Sequence, residues 1–147
     1  MAANFAAFGL FFPALLMFSG RAKASLALPL ALAGGVLALA GGSLVVRSRV
    51  ELGPAWSFLA KADRGRALVT TGPYRLVRHP IYLGLTLLAT GTALAFSSWP
   101  ALGIVLSGIV PTFAWRARGE ERLLSGTFGE RYEAYRQRTK MIIPWLL

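Results

Sequence analysis

The sequence contains no cysteine, and only one histidine and six acidic residues among its 147 positions. Without cysteine, no disulfide framework is possible. We predict no metal site. Because acids are scarce beside 16 Lys and Arg, the formal net charge is +10 and the sequence pI is about 11.3. In a soluble protein such a charge would indicate a nucleic-acid partner, but the positions of the charges argue against one here.

Long uncharged runs separate the charged segments. The chain is 55% hydrophobic with a mean hydropathy of +0.55, which is typical of the membrane class. We therefore predict a single all-α, polytopic membrane domain over 1–147, with a cytosolic loop at 47–80 and a cytosolic tail at 116–147. The loop and the amphipathic helices of the tail are expected to form the functional site. About four transmembrane helices are expected, over 4–19, 25–46, 81–97 and 101–115. The first run fits a signal peptide poorly, since no basic residue precedes it.

The distribution of positive charge predicts the orientation of these helices. With four spans, the N-terminus, the 47–80 loop and the tail lie on one side and carry 14 Lys and Arg, against two in the other connections. The positive-inside rule places the richer side in the cytoplasm. Both termini and the candidate site are therefore predicted to lie at the cytosolic face, where Pro54–Lys61 is expected to lie in the membrane interface.

The densest chemistry lies between Thr71 and Gly84, just before the third apolar run. Gly72 and Pro73 predict a turn, and Pro80 is suited to the first position of a helix. His79 should then stand at a helix entrance beside backbone N–H groups without helical partners, with Arg75 and Arg78 nearby, which is typical of an anion site. The alternative is that these cations are only the basic flank of a membrane segment.

A second polar cluster follows the fourth apolar run. Glu120 and Glu121 are adjacent acids in a chain that has few, although ion pairs with neighbouring arginines would also explain them. Gly126 and Gly129 are expected to break the helix, and 130–138 to form a short amphipathic helix. Tyr132 and Tyr135 fall at helical spacing there, and packing against the membrane interface or the loop would also explain them.

The ordered set TGPYRLVRHPIYLG, Glu120-Glu121-Arg-Leu-Leu and FGERYEAY resembles the isoprenylcysteine carboxyl methyltransferase family, to which phospholipid methyltransferases are related. The resemblance covers roughly residues 66–144. It implies S-adenosylmethionine as cofactor and S-adenosylhomocysteine as product, enclosed by the Arg-His-Pro and Glu-Glu stretches. The predicted cofactor-binding residues are Gly72, Tyr74, Arg78, His79, Pro80, Tyr82, Glu120, Glu121, Tyr132 and Tyr135.

The chemistry of the cofactor matches these residue types. Arg78 and His79 suit its carboxylate, a glutamate suits its ribose hydroxyls or ammonium, and tyrosine rings suit the adenine or the sulfonium. The expected reaction is carboxyl O-methylation of a lipophilic, isoprenoid-like acceptor that enters from the bilayer. Arg75 or Arg118 could hold the acceptor, and together with Glu121 they form the predicted catalytic set. An amine acceptor would instead need His79 or a glutamate as a proton sink.

Two alternatives remain open from the sequence. Membrane sterol and steroid reductases carry a related Arg-His-Pro stretch and use NADPH. A non-catalytic basic membrane protein that recruits anionic lipid would also account for the cationic face.

Overall fold

The computed structural model describes residues 2–20, 22–53 and 68–142, with side chains from residue 6 onward. Pro54–Lys61, predicted to lie in the membrane interface, falls outside the described residues. Within them the chain is helical, which confirms the all-α prediction, and its β-structure amounts to one isolated bridge between Val77 and Lys140. The elements in order are α1 (Ala2–Met17), α2 (Ala24–Leu52), a 3₁₀ turn (Gly72–Arg75), α3 (Pro80–Ala95), α4 (Trp99–Ile104), a π turn (Val105–Ile109), α5 (Val110–Phe128) and α6 (Glu130–Arg138).

Two of these helical segments are long and apolar enough to cross a bilayer by length and composition. They are α2, with 29 residues, and the continuous 30-residue helix Trp99–Phe128 formed by α4, the π turn and α5. The apolar helices α1 and α3 each have 16 residues. The predicted run 101–115 is thus part of a longer helix that continues into the polar tail. The count of four spans stays a prediction.

The contacts divide the chain into two compact units, the first comprising 1–43 and 84–113. Within it, α1 packs against α4 and the π turn. Phe11 of α1 and Ala101, Val105 and Ile109 of the facing segment are each at most 2% exposed. Phe8 and Phe113 bring their ring centroids within 6.1 Å in a tilted arrangement. Aromatic, small and branched apolar side chains therefore form this core.

Glycines bring α2 and α3 into close contact within the first unit. A Cβ on Gly41 would lie 2.5 Å from the Leu88 nitrogen and 2.6 Å from the Gly84 carbonyl oxygen. Gly34 and Gly91 face equally tight backbone neighbours, whereas Gly35 and Gly42 have no such neighbour within 4 Å. One glycine of each of the adjacent pairs Gly34-Gly35 and Gly41-Gly42 thus permits close helix approach, as is common between membrane helices.

The π turn ends at Ile109, two residues before Pro111. Val110 donates its backbone N–H to the Val105 carbonyl, one residue further back than in an α-helix. Proline has no N–H to donate and its ring crowds the preceding turn, so the wider turn accommodates it. The helix therefore continues past Pro111 to Phe128.

The second unit comprises 44–83 and 114–147, of which the structure describes 44–53, 68–83 and 114–142. Its small apolar core is Ala117, Met141 and Ile142, with Tyr82 and Leu83 packed against it. Gly126 does not break the helix, contrary to the prediction, because α5 runs on to Phe128. The break comes at Gly129, whose φ of 53° lies in the region that glycine adopts without strain. All the predicted site residues belong to this unit.

Candidate functional site

The 3₁₀ turn before α3 is fixed by residues that the sequence motif supplies. Gly72 has a φ of 56°, and a Cβ there would lie 2.8 Å from a Glu51 carboxylate oxygen. Thr71 donates its hydroxyl to that carboxylate, and Tyr74 is buried with its hydroxyl 3.5 Å from the Ser48 carbonyl oxygen. Glycine at position 72 therefore allows the backbone conformation of this turn and leaves room for the Glu51 side chain.

The segment Thr139–Ile142 accepts hydrogen bonds from two backbone N–H groups at the entrance of α3. Arg78 donates its N–H to the Lys140 carbonyl at 2.8 Å, and His79 donates to the Met141 carbonyl at 2.9 Å. Pro80 begins α3, as predicted. The backbone N–H groups of Arg78 and His79 thus have partners in a segment some 60 residues later in the chain. The anion site expected at this helix entrance stays a prediction.

The Arg78 side chain joins three parts of the second unit. Its Nε lies 2.6 Å from Glu121 Oε1, and the two side chains are 8% and 13% exposed. Its Nη1 donates to the carbonyl oxygens of Arg136, at 3.1 Å, and Thr139, both at the C-terminal end of α6. A largely buried guanidinium thus links the acidic pair to the end of α6.

The His79 ring lies between the two carboxylates. Its Nδ1 is 3.6 Å from Glu120 Oε2 and its Nε2 is 3.6 Å from Glu121 Oε1. The ring stacks on Tyr82, with centroids 5.6 Å apart and planes 12° apart. The residue is 7% exposed, and its Nε2 has no hydrogen-bond partner among the described residues.

Tyr82 connects Glu120 to an arginine that the sequence did not assign to the site. Its hydroxyl donates to Glu120 Oε1 at 2.6 Å and accepts from Arg116 Nε at 2.7 Å. Arg116 Nε also lies 3.0 Å from the same carboxylate oxygen. The spacing of four residues between Arg116 and Glu120 was the available signal, but it indicates an ordinary helical ion pair equally well.

The two tyrosines of α6 face the same cluster. Tyr135 donates its hydroxyl to the Tyr74 carbonyl at 2.7 Å, and its ring lies 6.0 Å from that of Tyr132. Burial raises the pKa of Tyr135 to about 12, although nearby Arg78 opposes the shift. Burial, reinforced by the negative charge of Glu121, also raises the pKa of Tyr132. Tyr132 is 1% exposed, and its hydroxyl has no hydrogen-bond partner within the described part of the chain.

Most of the predicted cofactor-binding residues therefore meet in one cluster, which we call the acidic-pair cluster. Its members are Arg78, His79, Tyr82, Arg116, Glu120, Glu121 and Tyr132. Tyr74 and Tyr135 adjoin it, and burial raises the pKa of Tyr74 as well. Arg75 and Arg118, the predicted acceptor ligands, are exposed, and neither takes part in these contacts. Among the described residues, no group of three or more acidic or histidine side chains could hold a metal ion.

Comparison with known proteins places these features in a family. The model of the phospholipid methyltransferase family matches residues 30–131 of this chain. The Schizosaccharomyces pombe protein-S-isoprenylcysteine O-methyltransferase is 32% identical over 97 residues, which are 65% of this chain and 41% of the relative. Methanethiol S-methyltransferase 1 of Bradyrhizobium diazoefficiens is 42% identical over 77 residues, which are 49% of this chain and 24% of the relative.

A solved structure shares the fold over almost the whole chain. The eukaryotic intramembrane Ras methyltransferase ICMT superposes with a TM-score of 0.75 and 24% identity, covering 99% of this chain and 52% of that one. The chain thus spans about half or less of the length of these three relatives. Because the family model covers more than half of it, the chain belongs to the phospholipid methyltransferase family, with isoprenylcysteine carboxyl methyltransferases among its relatives, and is an integral membrane protein.

Proposed function

We propose that this chain is an S-adenosylmethionine-dependent methyltransferase that methylates the carboxylate of a lipophilic acceptor. The observation that carries the proposal is the acidic-pair cluster, in which residues from the Arg-His-Pro stretch, the Glu-Glu stretch and α6 meet around two carboxylates. The predicted orientation would put this cluster at the cytosolic face, within reach of a soluble cofactor.

The residues present fit this cofactor. When bound, S-adenosylmethionine supplies an activated methyl group on a sulfonium, and it also carries an ammonium, hydroxyls and an adenine ring. Glu120 and Glu121 offer acceptors for the cationic and hydroxyl groups, and tyrosine faces suit the adenine or the sulfonium. Within the described part of the chain, His79 Nε2 and the Tyr132 hydroxyl are buried without a hydrogen-bond partner, and proteins seldom leave buried polar atoms in that state. A polar ligand in the cluster would satisfy them.

A carboxylate acceptor needs no general base, because it is already ionised at neutral pH. The protein's contribution is then to hold the reactants in line and to exclude water, and such positioning can supply about 7 to 11 kcal/mol of the barrier. An acceptor with a proton to lose, such as an amine or a thiol, would require His79 or a glutamate to accept it. The identity of the acceptor therefore decides whether acid–base chemistry is needed.

A thiol acceptor is the second candidate, because the bacterial relative that is 42% identical over 77 residues is named a methanethiol S-methyltransferase. The fungal, bacterial and structural relatives are all methyltransferases, which favours methyl transfer over the reductase and the non-catalytic alternatives.

The decisive test uses the detergent-purified chain. We expect calorimetry to detect binding of S-adenosylhomocysteine, and binding of NADPH alone would overturn the proposal in favour of a reductase. Membranes incubated with cofactor carrying a radiolabelled methyl group should transfer the label to an S-prenylated cysteine with a free carboxylate. Transfer to methanethiol instead would support the thiol candidate, and the methyl ester of the prenylated cysteine is the matched negative control.

A further inference from the structure

We propose that Arg78 positions Glu121 for ligand binding and does not itself bind the carboxylate of the cofactor. This inference rests on the proposed function. It differs from the expectation based on the sequence, in which the Arg78 guanidinium forms the fork that grips that carboxylate.

The Nε and Nη1 donors of Arg78 are committed within the protein. Its Nε is 2.6 Å from Glu121 Oε1, and its Nη1 donates to the carbonyls of Arg136 and Thr139. A bidentate grip on a carboxylate uses two N–H groups on one edge of the guanidinium. Nε already donates to Glu121 and Nη1 to two carbonyls, so neither edge keeps two N–H groups for a ligand. The side chain is only 8% exposed, so reorienting it would leave a buried carboxylate and two carbonyls without their donor.

The contact with Arg78 also restricts the Glu121 carboxylate. Arg78 and His79 both approach the same carboxylate oxygen, Oε1. Within the described residues, no hydrogen bond from a side chain reaches Oε2, and the side chain is 13% exposed. The arrangement holds one oxygen of the carboxylate and leaves the other as an acceptor for a ligand's ammonium or hydroxyl.

The Arg78 backbone is anchored as well as its side chain. Its N–H is bonded to the Lys140 carbonyl at 2.8 Å, so backbone and side chain are both anchored to the segment that follows α6. A residue whose backbone and side chain are both held in this way is suited to fixing the position of the Glu121 carboxylate. It is less suited to moving onto an incoming anion.

A double-mutant cycle on the detergent-purified full chain tests this inference. Arg78→Lys and Glu121→Gln should each weaken S-adenosylhomocysteine binding by about 10- to 100-fold, the usual effect of losing a hydrogen bond to a charged group. Because both changes disrupt the same Arg78–Glu121 contact, the double variant should bind S-adenosylhomocysteine no more weakly than the single variant with the lower affinity. Arg122→Lys, an exposed arginine next to Glu121, is the matched control and should keep wild-type affinity.

A second ligand distinguishes a positioning role of Arg78 from direct contact between Arg78 and the ligand's carboxylate. 5′-Methylthioadenosine keeps the adenine, ribose and thioether but lacks the amino-acid group. In the Glu121→Gln background, Arg78→Lys should leave the ratio of the two ligands' affinities unchanged. If Arg78 gripped the carboxylate, the same change would weaken S-adenosylhomocysteine alone, and additive losses would likewise overturn the inference.

Arg78→Lys also removes the contacts to α6 and can lower the folded yield, so a variant with Arg78 intact is included. Glu121→Asp keeps the charge but shortens the reach to Arg78, and it should lose affinity as Glu121→Gln does. Wild-type affinity in Glu121→Asp would overturn the inference. Failure of the unmodified chain to bind S-adenosylhomocysteine would overturn the proposed function itself, whereas binding with additive losses would overturn only the role of Arg78.

Discussion

The Tyr82 hydroxyl lies 2.6 Å from Glu120 Oε1 and, on its other side, 2.7 Å from Arg116 Nε. One phenol therefore acts as donor to the carboxylate and acceptor from the guanidinium. Because Arg116 also contacts Glu120 directly at 3.0 Å, the three groups form a closed triangle. This triangle holds Glu120 against one nitrogen of the His79 ring, while the Arg78–Glu121 pair lies at the other nitrogen.

Replacing Tyr82 with phenylalanine should open this triangle while keeping the ring that stacks on His79. We expect S-adenosylhomocysteine affinity to fall by about fivefold, the effect of one net hydrogen bond of about 1 kcal/mol. Calorimetry measures the loss, and thermal unfolding in detergent checks that the variant is folded. An unchanged affinity would show that the orientation of Glu120 does not depend on Tyr82.

Tyr132→Phe should behave differently, because the Tyr132 hydroxyl is buried without a hydrogen-bond partner among the described residues. Removing an unpaired buried polar group relieves a cost of about 1 to 3 kcal/mol. The melting temperature of the ligand-free variant should therefore stay the same or rise, while the increase produced by S-adenosylhomocysteine should shrink. A large drop in the ligand-free melting temperature would contradict this prediction.

The buried tyrosines predict the alkaline limit of the second unit. Burial raises the pKa of Tyr74 and Tyr132 above the ordinary value near 10, and that of Tyr135 to about 12. Since the folded form holds these protons more tightly, their stabilisation is complete below about pH 10 and is lost as the pH rises through the raised values, near 12 for Tyr135. Absorbance of the tyrosinate band should appear at higher pH in the folded protein than in the denatured chain. Titration at the ordinary pKa in both states would contradict burial.

The glycine contacts between α2 and α3 provide a matched pair for testing the first unit. Gly41→Ala places a methyl group against the backbone of Leu88 and Gly84, and overpacking of this kind costs about 1 to 3 kcal/mol. Gly42→Ala, one residue along, meets no such neighbour within 4 Å and should not destabilise the protein. Thermal unfolding of the two variants in the same detergent measures the difference. Equal melting temperatures would indicate that the two helices lie further apart than these distances require.

The helices could be predicted because apolar runs and the Pro80 helix start are local signals. Most of the acidic-pair cluster could be predicted because its residues lie in the ordered motifs that resemble a known family. The sequence missed Arg116, because a pair spaced four residues apart looks the same whether it is exposed or joined to Tyr82. It also missed the hydrogen bond from the His79 N–H to the Met141 carbonyl, since nothing local to His79 reveals that partner. Gly126 was misjudged as a breaker, because glycine only weakens a helix and the positive φ falls at Gly129. Pairings between distant segments thus account for most of what could not be predicted.

The hydrogen bonds from Arg78 and His79 to Lys140 and Met141 have a consequence for how the protein is made. During synthesis the Arg-His-Pro stretch leaves the ribosome about 60 residues before its acceptors do, so it must wait at the membrane with two amide groups unsatisfied by the protein. Formation of these two hydrogen bonds is accordingly a late event, possible only after residue 141 has emerged. A ribosome stalled before that point would hold a chain in which the entrance of α3 is not yet joined to the segment after α6.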